Sequence, residues 1–91
     1  MDMINFFANE YNEANWKKFS NCFKEYTDLD DCFEVIPKDI VNVLIGLLGV
    51  EESKEWIKKN LKQLDFMTVV ELSKTEKGLN ALKAFIMRMP N

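Results

Sequence analysis

The chain contains no histidine among its 91 residues. Without an imidazole it can form neither a Ser-His-Asp triad nor a Cys-His pair, and it has no His-ligated metal site. Its two cysteines, Cys22 and Cys32, do not have the Cys-x-x-Cys spacing of zinc and redox motifs. Its three glycines, Gly46, Gly49 and Gly78, are too scattered to form a phosphate-binding loop. The sequence therefore predicts a protein that is not an enzyme and that uses no cofactor or metal.

The sequence also lacks an excess of positive charge and a long apolar run. Its 12 basic and 15 acidic residues give a net charge of −3, whereas a protein that reads duplex DNA normally concentrates Lys and Arg on one face. The longest apolar run, 43–50, is interrupted by two glycines and is far too short to cross a bilayer. No signal-peptide pattern is present. We therefore expect a cytoplasmic protein that binds no specific nucleic acid and no membrane.

What the chain does have is apolar residues at helical spacing. Apolar residues make up 47% of the sequence and aromatic residues 12%, so the chain has enough material for one modest core. Apolar stripes at spacings of three and four residues recur along it, and no alternating strand pattern appears. These stripes predict an all-α protein, folded as a compact bundle of about five helices in a single domain, 1–91.

Within that domain the acidic segment 27–34 is the natural boundary. Residues 1–34 are expected to form an N-terminal helical hairpin, either as one bent helix or as two helices broken near Asn12 to Asn15. Lys38 to Leu48 is apolar nearly all round, so this helix should be central. Trp56 should open the buried side of the next helix, which continues through Ile57, Leu61 and Leu64.

The region 68–76 contains two helix starts placed close together. Thr68 followed by Glu71 fits a capping box, and either Ser73 with Glu76 or Thr75 alone fits a second N-cap. Only one helical turn fits between them, so a short helix and a sharp corner are predicted. An amphipathic final helix follows, with Leu79, Leu82 and Ile86 on its apolar side.

This corner resembles the toxin-binding domain of Xre/MbcA/ParS-type bacterial antitoxins. The resemblance covers residues 47–89, within the antitoxin-like half 35–91. It rests on a Trp, a Leu eight residues later, two Thr helix starts and a basic residue near the end of the final helix. In this sequence those residues are Trp56, Leu64, Thr68, Thr75 to Gly78, and Arg88.

The resemblance implies a small protein-binding module that inhibits a RES-type NAD-consuming toxin by occluding its active-site entrance. The final helix and the tail would make the contacts. Arg88 and Asn91 would be the polar contacts, and Met87 and Met89 the apolar ones, with Lys83 on the same helix.

A different partner is also compatible with the composition. Small size and acidic charge suit a phage or mobile-element inhibitor of a bacterial defence complex, such as an anti-CRISPR protein. Its carboxylates would take the place of phosphates on a subunit of that complex, and Asp28, Asp30, Asp31 and Glu34 would form the binding surface. A homodimer is a third possibility.

Overall fold

The computed structural model describes residues 3–89 and confirms the all-α prediction. The α-helices of this part of the chain are α1 (Met3–Glu10), α2 (Glu13–Ser20), α3 (Lys38–Leu48), α4 (Val50–Trp56), α5 (Val69–Leu72) and α6 (Glu76–Met87). Five of these six helices have seven or more residues, and no strand occurs among the described residues. The radius of gyration of 12.2 Å is the value expected for one compact unit of this length.

The central helix is α3, as its sequence predicts. It buries Ile40, Val41, Val43, Leu44 and Ile45. It begins directly after Pro37 and is followed by Gly49, whose φ of 86° lies in the left-handed region that favours glycine. These apolar residues point to several sides of α3, so the other helices pack around it.

The first two helices are separate, which decides between the two alternatives for this region. Asn12 has an extended backbone, and its side chain accepts a hydrogen bond from the Asn15 N–H at 3.0 Å. This is the N-cap of α2. The first helix ends two residues earlier, at Glu10.

The predicted N-terminal hairpin is not how these two helices pack. The most extensive helix–helix contact in the described structure joins α1 to α6, at the other end of the chain. Phe7 of α1 meets Phe85 of α6 edge to face, with 5.4 Å between the ring centroids. Burying the apolar side of α1 against α6 removes more apolar surface from water than pairing it with the short, more polar α2 would.

The helix of Trp56 is shorter than predicted. Trp56 is the last residue of α4 and is half-buried, so the helix does not continue to Leu64 and Trp56 is less buried than predicted. Leu61 is extended and pairs with Met67 in an isolated β-bridge, and residues Lys62–Leu64 form a single 3₁₀ turn. The helix cannot continue because the backbone of Leu61 is already bonded to that of Met67. Leu61 and Leu64 are nevertheless buried, through this loop.

The corner has the geometry that its sequence predicts. The Glu71 N–H donates to the Thr68 hydroxyl at 3.2 Å, and the Thr68 N–H donates to the Glu71 carboxylate at 2.8 Å. The Gly78 N–H donates to the Thr75 hydroxyl at 2.9 Å and begins α6. A Cβ at Gly78 would overlap the backbone carbonyl of Leu72, so this glycine allows the two helices to approach closely.

Candidate functional site

Lys83, which was predicted to contact a partner, is occupied within the fold. Its side chain is only 17% exposed, and its ammonium lies 3.9 Å from the Asp39 carboxylate. The same ammonium lies over the rings of Tyr11 and Trp16, at 5.6 and 5.7 Å from their centroids. Cation–π contacts and a nearby carboxylate both stabilise a partly buried ammonium. The Lys83 side chain thus contacts Asp39 of α3 and Trp16 of α2 and is mostly buried, and its predicted role at a partner-binding surface stays a prediction.

The surroundings of Lys83 also affect Tyr11. Partial burial raises the pKa of the Tyr11 phenol, and the Glu13 and Asp39 carboxylates raise it further. Both effects disfavour the phenolate. Tyr11 is therefore an uncharged aromatic contact for Lys83 at neutral pH.

Arg88 is exposed and has two contacts within the chain. Its guanidinium pairs with the Glu10 carboxylate and lies 5.9 Å from the centroid of the Phe6 ring. Both partners lie on α1, so Arg88 links the end of α6 to the side of α1. An exposed ion pair of this kind contributes little to stability, and it leaves the guanidinium accessible to a partner molecule.

Met87 and Met89 are half-buried and pack against the core. Met87 and Arg88 also border a shallow cleft of about 220 Å³ between α6 and the junction of α1 with α2. Asn91 lies outside the described residues. The structure thus brings Met87 and Arg88 together at one surface and leaves the Lys83 side chain partly buried.

The alternative acidic surface is accessible. Asp28, Asp31 and Glu34 are exposed, and Asp30 pairs with Lys54 of α4. Lys54 also lies 3.4 Å from the Glu51 carboxylate. Hydrogen bonds to Asp30, which has the larger effect, and to Glu51 raise the pKa of the Lys54 ammonium.

An apolar cleft of about 370 Å³ lies beside this acidic segment. Its apolar lining is Leu29, Phe33, Ile36 and Val41, and its polar lining is Asp30, Glu34 and Lys38. The segment is therefore more than a solvated acidic turn. Phe33 and Ile36 anchor it to the core, while the carboxylates between and beside them face solvent.

One further exposed feature, the loop at Asp65 and Phe66, was not predicted from the sequence. Both residues have a left-handed backbone, with φ values of 56° and 60°. The Phe66 side chain is 64% exposed. The Phe66 N–H donates to the Leu61 carbonyl at 2.8 Å, and Asp65 accepts from the Ile4 N–H at 3.3 Å. These bonds hold a bulky residue in a conformation that such residues rarely adopt.

The signal that could have revealed this loop is weak. Aspartate tolerates the left-handed region better than most residues, which fits Asp65 but not its neighbour. The loop borders an open cleft of about 610 Å³, whose apolar lining is Ile4, Met67, Leu72 and Gly78. Asp65 and Met67, the chain neighbours of Phe66, thus line a concave surface formed by the first helix, the loop and the corner.

Residues 3–89 bring together neither a metal-binding cluster nor a pair of bonded cysteines. No group of three or more acidic or cysteine side chains lies close enough together there to hold a metal ion. Cys22 and Cys32 are both free thiols. Across the same residues, none of the helices has the length and apolar character needed to cross a membrane.

Comparison with known proteins identifies no relative of this chain. No protein-family model, no curated protein and no solved structure matches this chain. The resemblance to the antitoxin domain therefore rests on the sequence residues named above.

Proposed function

We propose that this chain is a small non-catalytic protein-binding module that inhibits its partner by covering part of the partner's surface. The observation that supports the proposal best is the exposed Phe66 on a left-handed backbone. Holding an aromatic residue in this conformation costs free energy, and an exposed ring recovers little of that cost by burial within the chain. Exposed aromatic residues beside a cleft are typical anchors of protein interfaces.

The first candidate partner is a RES-type NAD-consuming toxin. The support is the corner, where Thr68 caps a one-turn helix and Thr75 caps the final helix, in the order that the antitoxin domain shows. In this proposal the end of α6 covers the toxin's active-site entrance. Arg88 and Met87 provide the contacts, since Lys83 is engaged inside the fold.

The test is an NAD-consumption assay with a purified RES-type toxin, taken from the gene beside that of this chain where one occurs. We expect inhibition that is complete at one module per toxin, and growth rescue when the two are co-expressed. Unchanged NAD consumption with the module in excess, together with no complex on size-exclusion chromatography, would reject this partner.

The second candidate is a subunit of a bacterial defence complex, as for an anti-CRISPR protein. The support is the exposure of Asp28, Asp31 and Glu34 on one short segment. In this proposal the carboxylates occupy a groove that otherwise binds nucleic-acid phosphates. A CRISPR effector should then lose DNA binding in the presence of the chain, and the change of Asp28 and Asp31 to Asn should restore it. An effector that still binds DNA in the presence of excess chain would reject this candidate.

A further inference from the structure

The cleft beside the acidic segment has an apolar floor and a charged rim. Phe33, Ile36 and Val41 form much of this floor and are buried at 4%, 5% and 1% exposure, and Leu29 beside them is half-buried. Val35 lies between two cleft-lining residues, Glu34 and Ile36, and its own side chain is 63% exposed. A β-branched apolar side chain therefore stands in solvent between two residues of the chain that line the cleft. Such a surface gains free energy when another apolar side chain covers it.

The charges around this cleft are mainly negative. Asp30 and Glu34 line it directly, and Asp28 and Asp31 lie on the same segment. The basic groups nearby are Lys38 in the lining and Lys54, which pairs with Asp30 and with Glu51 of α4. Carboxylates thus outnumber ammonium groups around the apolar floor. Acidic partners would be repelled, and basic partners would be attracted and oriented.

From this combination we infer that the cleft at Leu29, Phe33 and Val41 binds a basic amphipathic segment of the partner protein. An apolar side chain of the segment enters the cleft against Val35, and its Lys or Arg residues reach Asp30 and Glu34. The inference rests on the proposed function as a protein-binding module and specifies the chemistry of the partner. Apolar contact supplies affinity, and the acidic rim supplies selectivity and a faster association rate.

The probe is a fluorescently labelled synthetic peptide of about 18 residues, built from Leu and Lys so that the leucines form one helical face. A second peptide has the same composition in scrambled order and no apolar face. Binding to the full chain is measured by fluorescence anisotropy at an ionic strength of about 0.15 M, where weak long-range attraction is largely screened. We expect the amphipathic peptide to bind at least about tenfold more tightly than the scrambled one.

Two variants test the surface, and each has a matched control. Val35→Ser should weaken binding of the amphipathic peptide about fivefold to tenfold, while Val50→Ser, the same change at another exposed valine, should change it less than about twofold. The double variant Asp30→Asn with Glu34→Gln should weaken binding at least about tenfold. Its control, Glu13→Gln with Glu76→Gln, removes the same number of charges from other exposed positions. Circular dichroism checks the helix content of every variant.

Three results would overturn the inference. They are equal binding of the two peptides, equal effects of the test and control variants, or no binding of the amphipathic peptide. The first two would indicate general attraction between a basic peptide and an acidic protein. Because inhibition is measured with a whole partner protein, a failed peptide experiment with intact inhibition would reject only this surface. Peptide binding without inhibition of any partner would reject only the inhibitory function.

Discussion

The Asp39 carboxylate accepts a hydrogen bond from the Trp16 indole, with 2.8 Å between Nε1 and Oδ2. The same oxygen lies 3.9 Å from the Lys83 ammonium. Asp39 therefore joins α2, α3 and α6 through one side chain. Trp16 is buried at 2% exposure, so its N–H needs this acceptor.

Asp39→Ala should destabilise the fold by about 2 kcal/mol. The change leaves the Trp16 N–H without its acceptor and the partly buried Lys83 without its nearest carboxylate, and both losses act on the folded state. Chemical denaturation monitored by circular dichroism measures the effect. Asp31→Ala, at an exposed position, is the control and should cost less than about 0.5 kcal/mol. Equal effects of the two changes would contradict this role of Asp39.

The sequence predicted helices that carry their own signals, and it missed contacts made between distant parts of the chain. Lys38–Leu48 has an apolar pattern and a following glycine, and Thr68 and Thr75 are local caps, so these were predictable. Nothing in the pattern around Lys83 shows that Asp39 and Trp16 lie beside it. A surface lysine and a partly buried one have the same local sequence signature.

The predicted length of α4 was wrong for a related reason. Ile57, Leu61 and Leu64 are buried as the stripe predicts, but a loop rather than a helix brings Leu61 and Leu64 to the core. Apolar spacing reports which residues are buried better than it reports the backbone that buries them. Exposure of Phe66 could not be predicted either, because it depends on a backbone conformation that phenylalanine rarely adopts.

The two tryptophans should respond very differently to substitution. Trp16→Ala should cost about 3–5 kcal/mol, because it removes a buried indole from the core. Trp56→Ala should cost about 2 kcal/mol, since this half-buried ring mainly stacks on Phe85, with 6.4 Å between centroids. Denaturant titration gives both values. In single-tryptophan variants made with Phe, the indole of Trp16 should emit at a shorter wavelength than that of Trp56, and the reverse order would contradict the burial seen here.

Gly46→Ala should destabilise α3, although the same change usually stabilises a helix interior by about 1 kcal/mol. A Cβ at Gly46 would overlap the half-buried ring of Phe23, which follows α2 and packs on this glycine. We expect a cost of about 1–3 kcal/mol, as for other overpacked contacts.

The control for Gly46→Ala is the same change in a Phe23→Ala background. With the ring removed, the alanine should stabilise the helix by its ordinary propensity, so the effect should change sign. Thermal and denaturant melts of the four proteins in the cycle measure this coupling. A Gly46→Ala effect that is the same in both backgrounds would show that Phe23 is not the cause.

The capping box should make part of the stability dependent on pH. The Thr68 N–H and the Thr68 hydroxyl both donate hydrogen bonds to the Glu71 carboxylate. These bonds, of which the N–H bond has the larger effect, lower the pKa of Glu71 below 4.5. A carboxyl whose pKa is lower in the folded state stabilises the fold above its unfolded pKa, and this contribution is lost as pH falls through the folded pKa.

Glu71→Gln tests this contribution because Gln does not titrate. The stability difference between the original chain and the variant should be constant from about pH 7 to about pH 5 and should shrink as pH falls further toward about pH 3. Thr68→Ala, which keeps the backbone N–H, should cost about 1 kcal/mol through the lost N-cap. A difference between the original chain and Glu71→Gln that is constant over the whole range would exclude the linkage.

Variants of Arg88 and of its partner Glu10 distinguish a role of Arg88 within the fold from a role in toxin binding. Arg88→Ala and Glu10→Gln both break the same exposed ion pair, so each should cost less than about 1 kcal/mol of stability. If the end of α6 covers the toxin, only Arg88→Ala should weaken inhibition, because only that change removes the group that meets the partner. Inhibition is measured in the NAD-consumption assay, with thermal stability recorded for both variants. Equal loss in both would mean that the pair acts by positioning α6 against α1, and no loss in either would move the toxin contact away from Arg88.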